Sequence, residues 1–164
     1  METGPILTGV IILILCLIPF IIIRRNRQKK EQEFKDAISR LASARNSAVD
    51  TFDQWNNTAI GLDNTNGQLF FFRRIGEREI SESIDLATIQ LCSVVLTKKN
   101  AKDDAYSVIE KVTLGLTAIE RHKSQVTLEF YNNDYDSLTI MDELRLAEKW
   151  SGLVKAAIAK GSVR

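Results

Sequence analysis

The sequence predicts one transmembrane α-helix followed by an α+β domain, in which about seven antiparallel strands form a barrel or sandwich capped by a C-terminal helix. Three observations lead to this prediction. Residues 6–23 form an uncharged apolar run, the segments after residue 51 alternate apolar and polar side chains, and residues 140–160 repeat apolar side chains at helical spacing. Strands followed by a single amphipathic helix are typical of an α+β architecture.

The apolar run from Ile6 to Ile23 has the length of a membrane-spanning helix. Its eighteen residues rise about 27 Å as a helix, close to the roughly 30 Å hydrocarbon layer of a bilayer. A single segment satisfies its backbone hydrogen bonds in that layer only as a helix. A cleaved signal peptide would carry its basic residues before the run, and an interfacial helix would show a polar face. The run therefore predicts a membrane anchor, with residues 1–5 as a short tail outside.

A cluster of basic residues follows the run directly: Arg24, Arg25, Arg27, Lys29 and Lys30. A basic flank is expected to stay in the cytoplasm. The sequence thus predicts a single-pass protein of the cell (inner or plasma) membrane, with a signal anchor, its N-terminus outside and its C-terminal domain cytoplasmic. The same residues could also attract anionic lipid, at about 1 kcal/mol per basic residue near the surface.

The juxtamembrane segment, residues 24–50, is predicted to be a linker helix. It lacks Gly and Pro, and Phe34, Ile38 and Leu41 form a narrow apolar stripe on an otherwise charged helix. The stripe could dock on the domain or pair with another copy of the chain, although about two heptads are few for a stable coiled coil.

The domain is predicted to cover residues 51–161, with residues 162–164 as a tail. Its first hairpin joins strands over 58–63 and 68–75, because the Asn-Gly pair between them suits a type I′ turn. Three successive aromatic residues lie in the second of these strands: Phe70, Phe71 and Phe72. Since neighbouring side chains point to opposite faces of a strand, at least one face is aromatic, and it is either covered by another element or a partner site.

The later segments predict further strands and the final helix. Residues 79–97 suggest one or two strands, and residues 108–121 and 125–131 form a hairpin, with Leu128 and Phe130 facing inward. The helix over residues 140–160 has a broad apolar face that includes Trp150, so it is expected to pack against the sheet.

This order of about seven strands and one helix with a tryptophan near its middle (LAEKWSGLVKAAI) resembles a pleckstrin-homology-like (PH-like) domain. The resemblance implies two bent sheets in a small barrel, a helix that plugs one open end with its tryptophan buried, and lipid or protein binding. Phosphoinositide-binding members carry several basic residues at the loop between their first two strands. Here that loop is taken to be residues 63–67, which hold no base, while Arg73 and Arg74 should point to opposite faces. The departure favours protein binding.

No catalytic or metal-binding constellation is evident in the sequence. The one histidine, His122, lies in a predicted turn, and the two cysteines, Cys16 and Cys92, lie in separate elements. These residues are too few for a zinc site. Asp134 and Asp136 lie in a loop that could hold a hard cation weakly, but turn formation by its Asn and Asp residues is the better explanation. The sequence therefore predicts no enzyme, no cofactor and no metal.

The leading functional prediction is a membrane-anchored, non-catalytic binding or scaffold protein, acting as an accessory subunit of a membrane protein complex. Its expected partners are the lipid bilayer, a membrane protein and a second copy of the chain, and the net charge of +1 argues against nucleic acid. The candidate contacts are the stripe on the linker helix and the Phe70–Phe72 run. The alternative is an anionic-lipid-binding module at the membrane surface, and an enzyme that uses the loop at Asp134 is the third hypothesis.

Overall fold

The computed structural model describes residues 4–100, 107–120, 125–136, 140 and 142–161. Within these residues lie two α-helices, seven strands and one short 3-10 helix, at Leu86–Thr88. In chain order, the helices and strands are α1 (Gly4–Ser43), β1 (Thr51–Trp55), β2 (Thr58–Asp63), β3 (Gln68–Ile75), β4 (Arg78–Asp85), β5 (Ile89–Asn100), β6 (Ser107–Ala118), β7 (Val126–Asn132) and α2 (Glu143–Gly161).

The strands form two antiparallel sheets, each in sequence order. Sheet A has the order β1-β2-β3-β4, and sheet B has the order β5-β6-β7. Tight turns join the strands of sheet A, and the residues that take positive φ there are Asn56, at 44°, Gly67, at 63°, and Gly76, at 58°. Asn and Gly tolerate this left-handed conformation better than other residues. The predicted seven strands and C-terminal helix are thus confirmed within the described residues.

The main core lies between the two sheets and α2. Trp150 is fully buried in it, and Leu128 and Phe130 are 1 % exposed, so the three predicted core residues lie where the pattern placed them. The indole nitrogens hold the layers together. Trp55 Nε1 donates to the carbonyl oxygen of Phe130 at 2.9 Å, and Trp150 Nε1 donates to Asp53 Oδ2 at 2.8 Å. Each indole therefore joins sheet A to another element.

The transmembrane prediction requires correction. In the part of the chain that the structure describes, no helix combines the length and the apolarity needed to cross a membrane. The span predicted over Ile6–Ile23 is corrected on this finding, as are the single-pass, signal-anchor and cell-membrane assignments that depended on it. The run forms the first part of a continuous 40-residue helix, α1, whose charged C-terminal half packs on sheet A.

Several boundaries also differ from the sequence prediction. Helix α1 ends at Ser43 instead of continuing to Asp50, because Asn46 takes a φ of 52° and turns the chain. Strand β1 was not anticipated, so residues 63–67 join the second and third strands, not the first two. His122, predicted to lie in a turn, is outside the described residues.

Candidate functional site

The apolar stripe of α1 packs on the outer face of sheet A, the face turned away from the main core. Phe34 and Ile38 of the stripe are 0 % and 1 % exposed, and Leu41 is partly buried beside them. They meet Phe70 and Phe72, and the Phe34 and Phe72 rings touch edge to face with centroids 5.4 Å apart. This second apolar group is called the outer cluster, and its buried residues are Phe34, Ala37, Ile38, Ala42, Ala59, Phe70 and Phe72.

The structure therefore brings most of the predicted partner contacts together within one chain. The stripe and the outward-facing phenylalanines, Phe70 and Phe72, contact each other, while Phe71 points inward and belongs to the main core. The stripe was predicted either to dock on the domain or to pair with another copy of the chain. In the structure it docks on the domain. A partner reaches these residues only where α1 has left the sheet.

Arg74 lies at the polar margin of the outer cluster. Its guanidinium carbon lies 5.4 Å from the centroid of the Phe34 ring and 5.8 Å from that of Phe72. The same guanidinium pairs with Glu33 of α1 at 3.3 Å and with Glu79 of β4 at 2.8 Å. Hydrogen bonds to Glu79 are the main reason that the pKa of Arg74 is raised. Arg74 therefore ties the helix, β3 and β4 at one point.

A buried carboxylate holds the connection between α1 and sheet A. Asp63, 1 % exposed, accepts hydrogen bonds from the backbone N–H groups of Ala48, Thr65 and Asn66, and from the side chain of Asn66. Burial alone would raise the pKa of Asp63, but these hydrogen bonds outweigh it and place the pKa below its ordinary value. The segment after α1 is thus anchored to the β2–β3 turn.

Arg73 lies on the opposite face of β3 from Arg74, as the alternation predicts, but its burial was not anticipated. Its side chain is 2 % exposed and reaches sheet B, where it donates to the carbonyl oxygen of Glu129 at 2.7 Å and to Asp136 Oδ2 at 2.9 Å. The Glu129 carboxylate lies 3.3 Å away. The charge of Arg73 is therefore neutralised inside the chain and is not offered to an anionic ligand.

The acidic loop after β7 contributes Asp136 to this ion pair. Asp136 Oδ2 accepts from both Arg73 and the backbone N–H of Asn132, and Asp134 is exposed. Among the described residues, no group of three or more His, Cys, Asp and Glu side chains is placed to hold a metal ion. The loop is a turn stabilised by Asn132, as the turn interpretation proposed.

The basic cluster predicted to flank the membrane, at residues 24–30, precedes the outer cluster along α1. Arg24, Arg25, Lys29 and Lys30 are exposed, and the side chain of Arg27 is outside the description. They take no part in the ion pairs of Arg73 and Arg74 described above. They also do not converge with Arg73, because its side chain is buried on the other face of sheet A.

The outer edge of sheet B exposes several apolar side chains. Of the described strands, β5 pairs with β6 alone, so its other edge carries unpaired backbone groups. Three apolar side chains on this strand are unusually exposed: Leu91 at 56 %, Val95 at 43 % and Leu96 at 39 %. We call this strand edge, with these three side chains, the β5 edge. An exposed and apolar strand edge is a site for pairing with another chain.

Helix α2 packs on the inner face of sheet B, next to β5. Cys92 of β5 is buried against Ser151 of α2, with 3.9 Å between Sγ and Oγ. Burial raises the pKa of the Cys92 thiol, while the charge of the nearby Lys155 acts in the opposite direction. Lys155 is exposed, and Lys98 and Lys99 are exposed near the end of β5. The β5 edge is thus bordered by basic side chains.

Comparison with known proteins does not narrow the function. No family model, no curated protein and no solved structure matches this chain. The function is therefore inferred from the geometry of the domain.

Proposed function

We propose that this chain is a non-catalytic protein-binding domain of PH-like architecture, and that it binds an extended segment of another protein along the β5 edge. The architecture is supported by a four-stranded and a three-stranded antiparallel sheet followed by one helix with a buried tryptophan, Trp150. The observation that carries the binding proposal is the β5 edge itself, where Leu91 and Val95 are exposed and no described strand pairs with the outer side of β5.

The mode of binding follows from the chemistry of a strand edge. The free N–H and C=O groups of β5 provide hydrogen bonds for an added strand, and alternate side chains of that strand provide specificity. Side chains of the added strand that lie on the outer face of sheet B would contact Leu91 and Val95. Lys98, Lys99 and Lys155 border the edge, so acidic side chains in the ligand gain favourable charge interactions. The ligand is an extended segment that combines apolar and acidic residues.

A displayed library of random peptides tests this proposal. Peptides as long as β5, 12 residues, are selected against the full chain, and binding is then measured by fluorescence anisotropy. We expect the enriched peptides to combine apolar with acidic residues, and to lose at least about tenfold in affinity for the variant Leu91→Glu, Val95→Glu.

The matched control is Thr127→Glu. Thr127 is exposed on β7, the opposite edge of sheet B, and a glutamate there adds charge without touching β5. Its affinity should equal that of the wild type. The proposal fails if no peptide is enriched above background, or if the enriched peptides bind the β5 variant as tightly as the wild type.

A further inference from the structure

The outer cluster is separate from the main core. Sheet A lies between the two groups, with Phe70 and Phe72 on one face and Phe71 on the other. The main core is completed by sheet B and α2, and among the described side chains it contains none from α1. Packing on the inner face of sheet A therefore does not depend on α1. The outer face of sheet A is a separate surface, and α1 covers it.

The seated helix defines what this surface recognises. Phe34 and Ile38 are four residues apart and insert beside Phe70 and Phe72, while the small Ala37 and Ala42 let the helix approach closely. Such spacing on one helix face is typical of a helix bound in an apolar groove. The acidic residue one position before Phe34, Glu33, meets Arg74. The occupant is thus an amphipathic helix with an acid next to its first aromatic residue.

Gly61 shapes the floor of this surface. A Cβ atom at Gly61 would lie 2.7 Å from Ile38 Cγ2 and 2.9 Å from Val49 Cγ1, both closer than real contacts allow. The helix can therefore pack this closely on sheet A only because position 61 has no side chain. A larger residue there would close the surface to any helix that follows the same path.

The contacts that hold the helix on the outer face are made by side chains, and the same helix of a second copy could make them too. Helix α1 ends at Ser43 and β1 begins at Thr51, and the side-chain hydrogen bonds that hold the short linker come from Asp63 and Asp50. A second copy of the chain carries the same stripe. We propose that the outer face of sheet A is a helix-binding site that accepts the Phe34–Ala42 segment in trans, from a second copy of the chain, as well as in cis.

A labelled peptide of residues 28–45 tests the proposal with the full chain as receptor. In the receptor variant Ile38→Asp the helix in cis no longer fits the apolar face, so the surface should bind the peptide, as measured by anisotropy. The wild-type chain should bind it at least about tenfold more weakly, because its own helix competes at a high effective concentration. A peptide that carries Ile38→Asp is the matched control and should bind neither receptor.

A receptor with both Ile38→Asp and Gly61→Val distinguishes the site from unspecific apolar binding. The added valine blocks the surface, so peptide binding should disappear. Both tryptophans of the chain, Trp55 and Trp150, pack with the main core, so their fluorescence reports whether each receptor is folded. Should Ile38→Asp not fold, Phe34→Ala replaces it, since it removes the ring on Phe72 without adding a charge. The proposal is overturned if a folded receptor with its own stripe disabled does not bind the peptide, or binds it equally with Gly61→Val.

Discussion

Single residues decide how the layers of this domain are joined. Asp63 uses one carboxylate to satisfy four donors from the linker and the β2–β3 turn, and Gly61 leaves the space into which Ile38 inserts. A buried carboxylate is costly unless it is hydrogen-bonded. At Asp63 the surrounding donors offset that cost, so the charged form is the stabilising one.

The stability contributed by Asp63 should depend on pH. Because its pKa is lower in the folded chain than in the unfolded chain, its contribution is fully present above the unfolded value of about 3.8 and is lost as pH falls through the folded pKa. We expect Asp63→Asn to lower the free energy of unfolding by about 1–3 kcal/mol at neutral pH.

Urea unfolding of the wild type and Asp63→Asn at a series of pH values measures this difference. The difference should shrink as the pH falls below about 4. Asn64→Ala serves as the control, since Asn64 lies in the same turn and its hydrogen bond to Asp50 comes from the backbone N–H, which alanine keeps. A difference that stays constant from neutral to acidic pH would contradict the role assigned to the carboxylate.

At the scale of elements, strand β3 serves two clusters at once. Its odd and even positions divide between the main core and the outer cluster, so Phe71 and Arg73 point to sheet B while Phe72 and Arg74 point to α1. The two adjacent arginines consequently have different roles. Arg74 pairs at a partly exposed margin, where ion pairs contribute little, whereas Arg73 is a buried cation between two carboxylates.

Removal of the buried cation should be strongly destabilising. Arg73→Met leaves the carboxylates of Asp136 and Glu129 without their partner, and we expect a loss of about 3–5 kcal/mol in the free energy of unfolding. The double variant Arg73→Met, Asp136→Asn should recover part of that loss, because one uncompensated charge is removed with the cation.

A double-mutant cycle in urea, with Asp136→Asn as the second single variant, measures the coupling between the two side chains. Arg145→Met is the matched control, because Arg145 is highly exposed and pairs only with the exposed Asp142 at 3.0 Å among the described residues. An Arg73→Met variant as stable as this control would show that the connection between the sheets does not depend on the ion pair.

At the scale of the whole molecule, the two sheets differ in what covers their outer faces. The outer face of sheet A is covered by α1, and its phenylalanines are buried there. Sheet B packs on α2 through its inner side, and its β5 edge leaves Leu91 and Val95 exposed. The domain thus has one apolar surface already occupied and one still open, which is why the binding proposal lies on sheet B.

Displacement of α1 should loosen the outer cluster and leave the main core intact. The variant Gly61→Val forces the helix away from the sheet, and overpacking of this kind costs about 1–3 kcal/mol. We expect faster hydrogen exchange over residues 34–42 and unchanged protection in β6 and β7, because these strands pack only in the main core.

Hydrogen exchange followed by mass spectrometry measures this pattern. Gly152→Val is a suitable control, since a Cβ atom at Gly152 of α2 would meet no described atom within 4 Å. Equal acceleration in α1 and in sheet B would mean that the two clusters form one cooperative unit.

Local sequence patterns predicted much of the fold. The alternation in residues 108–121 and 125–131 predicted strands with Leu128 and Phe130 inward, and the helical spacing around Trp150 predicted a helix packed on the sheet. Strand β1 was missed because five residues, Thr51–Trp55, with an even partial burial offer no alternation. The membrane span was the main error: it was predicted from the length and apolarity of one run, and no described helix combines the two as a span requires.

The spacing of apolar and polar residues was enough to predict the periodicity of each element, and therefore which side chains share a face. That is why it placed Phe70 and Phe72 together, apart from Phe71, and separated Arg73 from Arg74. The contacts of each face became known from the packing of the folded chain: α1 on the phenylalanines, Asp136 on Arg73, and no described strand on the outer edge of β5. The reason is physical. Periodicity is set by backbone geometry within a few residues, whereas the partner of a face comes from residues distant in the chain.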